Sequence, residues 1–383
     1  MHTLNLDPLL LLLLLCFHTG LVPASAKVLM SIDCGSSSLQ PYTDDKTSLV
    51  WVADDQYVRT GETRNVITKD LPPGWDSHVM STLREFSTRK KNCYSLDVAE
   101  DSTSVERVLV RASFYYGNYD NKSSPPTFHL QFNGNNWTQV ETSMDQVVYH
   151  EVVYSLNNKN STITICLGQT QVDNFPFISA LEVRSWDSDI YSSYTDQNHP
   201  LFFDKRVAFG VSTIVRLPED SYDRIWIPSD IGSTTVKVRS NSTSLEVDID
   251  DSPPEVVMRT SAVNLNSLAN ITLYGKTDVT VPFHINLYFS EVMILSSTQK
   301  RSFDVIVNGY AFADNSVQKV GPVIPPYGRA LEVRIDNVTA DPFVGLFKIE
   351  IVPTDDSTLP PLINALERFH IGDKLVQGTN SND

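Results

Sequence analysis

The sequence predicts an all-β protein made of two tandem jelly-roll β-sandwich lobes. Three observations carry this reading. Short segments alternate apolar and polar residues with the period of a half-buried strand: Val105–Gly117 (VERVLVRASFYYG), Thr243–Asp250 (TSLEVDID) and Arg329–Asp336 (RALEVRID). β-Branched and aromatic residues dominate them, and Asn, Gly, Pro and Asp punctuate the gaps. Helical periodicity is scarce. Ser77–Ser87 (SHVMSTLREFS) leaves a short helix open, with the non-helical reading preferred. Finally, the chain is written twice. FHLQFNG at Phe128–Gly134 returns as FDVIVNG at Phe303–Gly309, and WVADD at Trp51–Asp55 returns as WIPSD at Trp226–Asp230, both at an offset of 175. SFYYGNYD (Ser113–Asp120) faces NLYFSEVM (Asn286–Met293), and ISALE at Ile178 faces INALE at Ile363. The order is the same in both halves, as a tandem duplication requires.

The elements follow in chain order. Leu9–Leu15 is a run of leucines, and the apolar stretch reaches Val22. It is too short to span a bilayer, and Ala24 and Ala26 form a small-x-small cleavage pattern. Residues 1–26 are therefore expected to be a signal peptide, although its n-region holds no Lys or Arg. Residues 27–187 form lobe one and residues 206–370 lobe two. The polar, aperiodic stretch 188–205 reads as a linker and 371–383 as a frayed tail. Phe-x-x-x-x-Asn-Gly reads as a strand ending in a tight turn, because Asn-Gly tolerates positive φ. ISALE and INALE read as one strand in two copies, with Phe177, Ile178 and Ala180 toward the core or sheet edge.

Export agrees with the remaining composition. Asn-x-Ser/Thr acceptors lie at Asn121, Asn136, Asn160, Asn241, Asn270 and Asn337, candidates for N-glycosylation. Cys34, Cys93 and Cys166 remain after the leader; three is odd, so one bridge and one spare thiol is the simplest count. Cys93 and Cys166 sit inside strand-like segments, NCYSLDV and TITICLGQT, and are the favoured pair. A net charge of −16 repels nucleic acid and anionic lipid, and no basic run offsets it.

SIDCGSS (Ser31–Ser37), KNCYSL (Lys91–Leu96), VRASFYYGNYD (Val110–Asp120), PPTFHLQFNG (Pro125–Gly134), FPFISALEVR (Phe175–Arg184) and YDRIWIP (Tyr222–Pro228) resemble the malectin-like domain. More narrowly, they resemble the extracellular region of plant leucine-rich-repeat receptor kinases. The resemblance runs from Lys27 to Gly378. It implies two jelly-roll lobes of the carbohydrate-binding type at the cell surface. A cell-wall glycan, a secreted peptide or another receptor ectodomain is then the expected partner. No Gly-rich phosphate loop, Val-Ala-Ile-Lys-like strand or His-Arg-Asp loop occurs, so this stretch is not expected to transfer phosphate. It reads as a stand-alone ectodomain or as a truncated receptor product.

No converging catalytic set is visible: neither G-x-S-x-G nor H-E-x-x-H occurs, and the histidines are scattered. Neither an enzyme nor a cofactor is expected, and an unrecognised glycosidase is a distant alternative. The acidic stretch Glu246–Glu255 (EVDIDDSPPE) suits Ca²⁺ in donor type, but a solvated strand edge is the preferred reading, so no metal is expected. In FYYGNYD, Phe114 and Tyr116 read as core. Tyr119 and Asp120 lie past the turn and pair an aromatic face with a carboxylate, the chemistry of a sugar site. Similarity to animal malectin places the adjacent aromatic pair of its sugar site at Asp120 and Asn121 in lobe one, and at Met293 and Ile294 in lobe two. Neither lobe keeps the aromatics. The late Asp of that site corresponds to Asp173. Tyr119, Asp120 and Asp173 are thus the candidate ligand residues, with weak sugar affinity expected. Peptide or protein recognition across a broader surface is at least an equal reading. A decoy role, occupying partners of full-length receptors, is the alternative from a different class.

Overall fold

The computed structural model describes residues 26–98, 107–156, 162–186, 190–194, 199–232, 234–266, 269–277, 281–308, 317–341 and 345–375. The expected signal peptide lies outside them, apart from Ala26, as does the acceptor Asn160. The first repeat runs through β1 (Ala26–Asp33), β2 (Tyr42–Thr43), β3 (Val50–Ala53), β4 (Glu62–Asn65), β5 (Thr82–Glu85), β6 (Lys91–Asp97) and β7 (Arg107–Phe114). It continues with β8 (Thr127–Phe132), β9 (Asn135–Glu141), β10 (Val148–Ser155), β11 (Thr162–Gln169), β12 (Phe177–Ile178) and β13 (Ala180–Trp186). The second repeat holds β14 (Leu201–Ala208), β15 (Ile227–Pro228), β16 (Thr235–Arg239), a single helical turn α1 (Glu255–Met258), β17 (Thr260–Asn264) and β18 (Ile271–Lys276). Then come β19 (Phe283–Phe289), β20 (Phe303–Asn308), β21 (Val317–Val323), β22 (Leu331–Val338), β23 (Leu346–Pro353), β24 (Leu362–Ile363) and β25 (Ala365–Ile371).

The repeat in sequence is a repeat in pairing. The order β1-β13-β7-β10 in the first half returns as β14-β25-β19-β22. The sheet β6-β11-β8-β9 returns as β18-β23-β20-β21, and β12-β5-β4 returns as β24-β17-β16. Each repeat thus packs sheet on sheet over its own core. Phe114, Phe128 and Phe177 meet edge to face in the first; Phe289 and Phe303 meet in the second. Each such ring contributes on the order of 1.5–3 kcal/mol by leaving water. Asn133 and Gly134 both take positive φ, 47° and 76°, and close the β8–β9 hairpin as the Asn-Gly pair predicts. Gly35 follows β1 at φ 77°, and a Cβ there would stand 2.2 Å from the Leu83 carbonyl oxygen. Gly210 repeats that close approach, against Ser261.

Cys93 and Cys166 are direct cross-strand partners between β6 and β11 and form a disulfide, with Cα atoms 4.0 Å apart. Among the described residues, Cys34 is the free, buried thiol.

Several expectations need correction. The two sandwiches are not joined by a free linker. β10 pairs antiparallel with β14 (Glu151 with Phe203, Val153 with Leu201), so one sheet runs through both repeats. The stretch 188–205 conceals Ile190, Tyr191 and Tyr194, which pack with Leu109, Val153 and Phe369 on the outer face of that sheet. Leu201 already belongs to β14. The tail expected from 371 begins anchored: Gly372 donates its N–H to the Pro200 carbonyl, and Leu375 packs on the first core. Thr243–Asp250 makes one bridge, Glu246 with Arg329, rather than a full strand. Its Leu245, Val247 and Ile249 still face inward, while Asp248 and Asp250 are exposed. Ser77–Ser87 needs none: as its preferred non-helical reading expects, it divides between a 3₁₀ turn at Val79–Ser81 and β5.

Candidate functional site

The FYYGNYD segment leaves β7 at Phe114 and turns at the far end of the first sandwich. Phe114, Tyr115 and Tyr116 are all buried, so the core takes both faces of this strand end. Gly117 (φ 47°) and Asn118 (φ 55°) reverse the chain and deliver Tyr119. The Tyr119 ring lies half-buried, edge to face on Tyr116 and Phe177, at 5.5 and 5.6 Å between centroids. Its hydroxyl donates to Glu85 Oε1 at 2.7 Å, and the same carboxylate takes Arg64 Nη2 at 2.7 Å. Burial, with the hydrogen bond to Glu85, raises the Tyr119 phenol well above its ordinary value. The Tyr116 hydroxyl donates to Asp120. Burial and that bond push its phenol up to about 12. Asp120 also accepts the Lys122 backbone N–H at 3.2 Å.

Asp173 lies on an exposed turn at φ 67°. Two residues on, the Phe175 ring sits under the Lys122 ammonium, 5.3 Å from its centroid. Tyr119 and Asp120 thus share one end of the sandwich with the 171–177 segment. Their polar atoms, however, already have partners inside the protein. In the second repeat, Met293 and Ile294 are 42% and 78% exposed, so an apolar surface stands where a sugar site would place its rings. Among the described residues, the five acceptors Asn121, Asn136, Asn241, Asn270 and Asn337 are exposed. No group of three or more His, Cys, Asp or Glu among the described residues is placed to hold a metal ion.

The strongest polar feature was not read from the sequence. On the outer face of the shared sheet, Arg111, Arg184, Arg206 and Arg216 interlock with Glu151, Glu182, Asp223 and Glu367. Arg206 bridges Glu151 of the first repeat to Glu367 of the second. Arg111 Nε reaches Glu151 at 2.7 Å, and Arg184 Nε reaches Asp223 at 2.7 Å. Tyr191 and Tyr288 each donate to Glu367 at 2.6 Å. Burial opposes ionisation of Glu151, but Arg206 and Arg111 outweigh it and hold the carboxyl below its ordinary range. Arg216, Arg111 and Arg184 do the same for Glu182 against its burial. Two of its three glutamates, Glu182 and Glu367, are those of the twice-written Ala-Leu-Glu. A charged residue inside otherwise apolar strands was the available signal.

Two jelly-roll sandwiches fused through one sheet define a class of paired, all-β sandwich folds. The chain belongs to the malectin-like family: the family model for the malectin-like domain matches residues 32–371. An uncharacterized protein of Arabidopsis thaliana, At1g24485, is 33% identical over 97% of this chain and 70% of its own length. The probable LRR receptor-like serine/threonine-protein kinase At1g05700 of Arabidopsis thaliana is 32% identical over 96% of this chain and 41% of its own length. The chain therefore spans about two fifths of that receptor kinase. In fold, it is similar to the crystal structure of the plant receptor-like kinase FER, with TM-score 0.69 and 18% identity over 92% of this chain and 98% of that one. A structure of the plant peptide RALF23 in complex with FER and LLG2 matches with TM-score 0.67 and 16% identity, over 91% and 96%.

Proposed function

We propose that this protein is a non-catalytic, extracellular recognition module of the receptor-kinase type, binding a secreted peptide or a partner ectodomain through its surface. One observation carries the choice against a sugar. Tyr119 and Asp120, the residues best suited to stack and bond a saccharide, are already engaged by Glu85 and Tyr116. A sugar at this end would have to displace those bonds, and stacking on a half-buried ring offers little in return. A structural neighbour in complex with a peptide and a second protein supports the peptide reading. Cell-wall carbohydrate binding at Tyr119, Asp120 and Asp173 stays as a weak activity, in the millimolar range, about −4 kcal/mol. Secretion and occupancy of the exposed acceptors Asn121, Asn241, Asn270 and Asn337 belong to the same reading. A decoy role, through contacts with full-length receptors, is the second reading; the exposed Met293 and Ile294 favour it.

The test has two arms. Calorimetry with glucose- and galacturonic-acid-based oligosaccharides is expected to show millimolar binding or none. Micromolar binding abolished by Tyr119→Ala would overturn the preference. Capture from plant extracellular fluid is expected to retain a peptide or an ectodomain, and retention of neither would reject the recognition reading.

A further inference from the structure

Two sandwiches that share one sheet diverge on the other side of it. Their second sheets end at separate edge strands, β9 in one and β18 in the other. The gap between them is a cleft of about 810 Å³. That size lies within the usual span of ligand pockets, ~300–1,000 Å³. Its floor is the seam, with His150 from β10, Phe202 from β14 and His370 from β25. Six of the seven residues of β9 line one wall, and the end of β18 stands at the other.

β9 has a strand neighbour, β8, on one side only among the described residues. Over residues 136–141 its outer edge therefore offers a row of backbone donors and acceptors to the cleft. An unpaired edge beside a groove is what strand addition of an extended peptide requires: main-chain bonds supply affinity, and alternate side chains supply specificity. A saccharide does not match the regular spacing of such a row.

Charge narrows the peptide. The lining holds Glu141, Asp204 and Asp373 against Lys276. Asp204 is held by Arg368, which leaves Glu141 and Asp373, both exposed, against Lys276: an excess of one negative charge in the lining. The floor histidines add no cation at neutral pH. Burial holds His150 down at about 4 and keeps His370 below its ordinary value. The net charge of −16 adds long-range attraction for a cationic partner.

We propose that the inter-lobe cleft binds an extended, basic peptide segment, added as a strand to the free edge of β9 with its cationic side chains toward Glu141 and Asp373. This rests on the recognition reading above and gives it a site and a ligand chemistry.

The experiment uses the secreted full chain and a fluorescein-labelled Lys-Val-Lys-Val-Lys-Val-Lys heptapeptide, read by fluorescence anisotropy. Saturable binding is expected. The double variant Glu141→Lys/Asp373→Lys should weaken it at least tenfold, as should N-methylation of alternate peptide amides. Gln139→Trp, which fills the cleft without changing charge or the Asn136 acceptor, should abolish it. Circular dichroism and thermal melting check that each variant is folded. Absence of binding to the wild type overturns the proposal. So does equal binding by the N-methylated peptide or by a Glu-Val heptapeptide. Binding that appears only after removal of residues 376–383, or only in Asn136→Gln, assigns the cleft to the chain's own C-terminal segment or to a glycan on Asn136, and overturns it as well. Capture from extracellular fluid separates this inference from the reading beneath it. A partner retained equally by wild type and double variant sinks the cleft alone; one retained by neither sinks the recognition reading.

Discussion

Arg206 shows at the residue scale why a buried charge is held rather than tolerated. It is 2% exposed and carries carboxylates of both repeats, Glu151 and Glu367. Removing one member leaves the others buried and uncompensated. Arg206→Met is therefore expected to cost about 3–5 kcal/mol, measured by chemical denaturation. Adding Glu151→Gln and Glu367→Gln should return most of that loss, and a triple variant as weak as the single one would contradict this account. Asp33 is the opposite case. Burial pushes its carboxyl up to about 6, against the hydrogen bonds from Tyr42 and Thr82. The folded state thus favours the protonated form. That contribution is complete below the ordinary carboxylate value near 4 and is lost as pH rises through 6. Between pH 4 and 7 the stability difference between wild type and Asp33→Asn should move toward the variant by about 2–3 kcal/mol. A difference that stays flat over this range would show that Asp33 is not raised. Glu151 and Glu182, held low, act in the other sense: their contribution is present above about 4 and fades as pH falls below it.

At the scale of elements, the β6–β11 pair is tied where its register places Cys93 opposite Cys166. The bridge spans 73 residues. In the chain-entropy account it restrains the unfolded state by about 4 kcal/mol. Cys93→Ser/Cys166→Ser is expected to lower the unfolding free energy by that order, and a reductant should change the wild type but not the double variant. The pairing was legible because both cysteines lie in alternating segments of strand length. The β8–β9 turn was legible because Asn-Gly admits positive φ at both positions. The Thr243–Asp250 segment misled for the same kind of reason. Its alternation is real and sorts inward from outward residues, but alternation does not supply a neighbouring strand, and only Glu246 finds a bridge.

The whole molecule behaves as one body in this fold. A continuous sheet and a sealed ion network cross the boundary between repeats. Thermal unfolding is therefore expected as a single transition, with calorimetric and van't Hoff enthalpies in agreement. Two separated transitions would show that the repeats unfold alone. Residues 27–187 expressed by themselves would expose the edge of β10 and strand Glu151 without Arg206. Poor solubility, seen by size-exclusion chromatography, is the expected result.

Periodicity and repetition, both local properties of the chain, settled the all-β class, the duplicated strand order and the inward faces of ISALE and INALE. They also marked Tyr119 and Asp120 as a polar aromatic turn. Which edges meet was decided only in three dimensions. Arg206 finds Glu151 from 55 residues away and Glu367 from 161. The cleft takes its lining from β9, the β10–β14 seam and the residues after β25. Alternation states which face of a strand turns inward, but the partner of that face is set by packing between distant segments, and no local pattern encodes it.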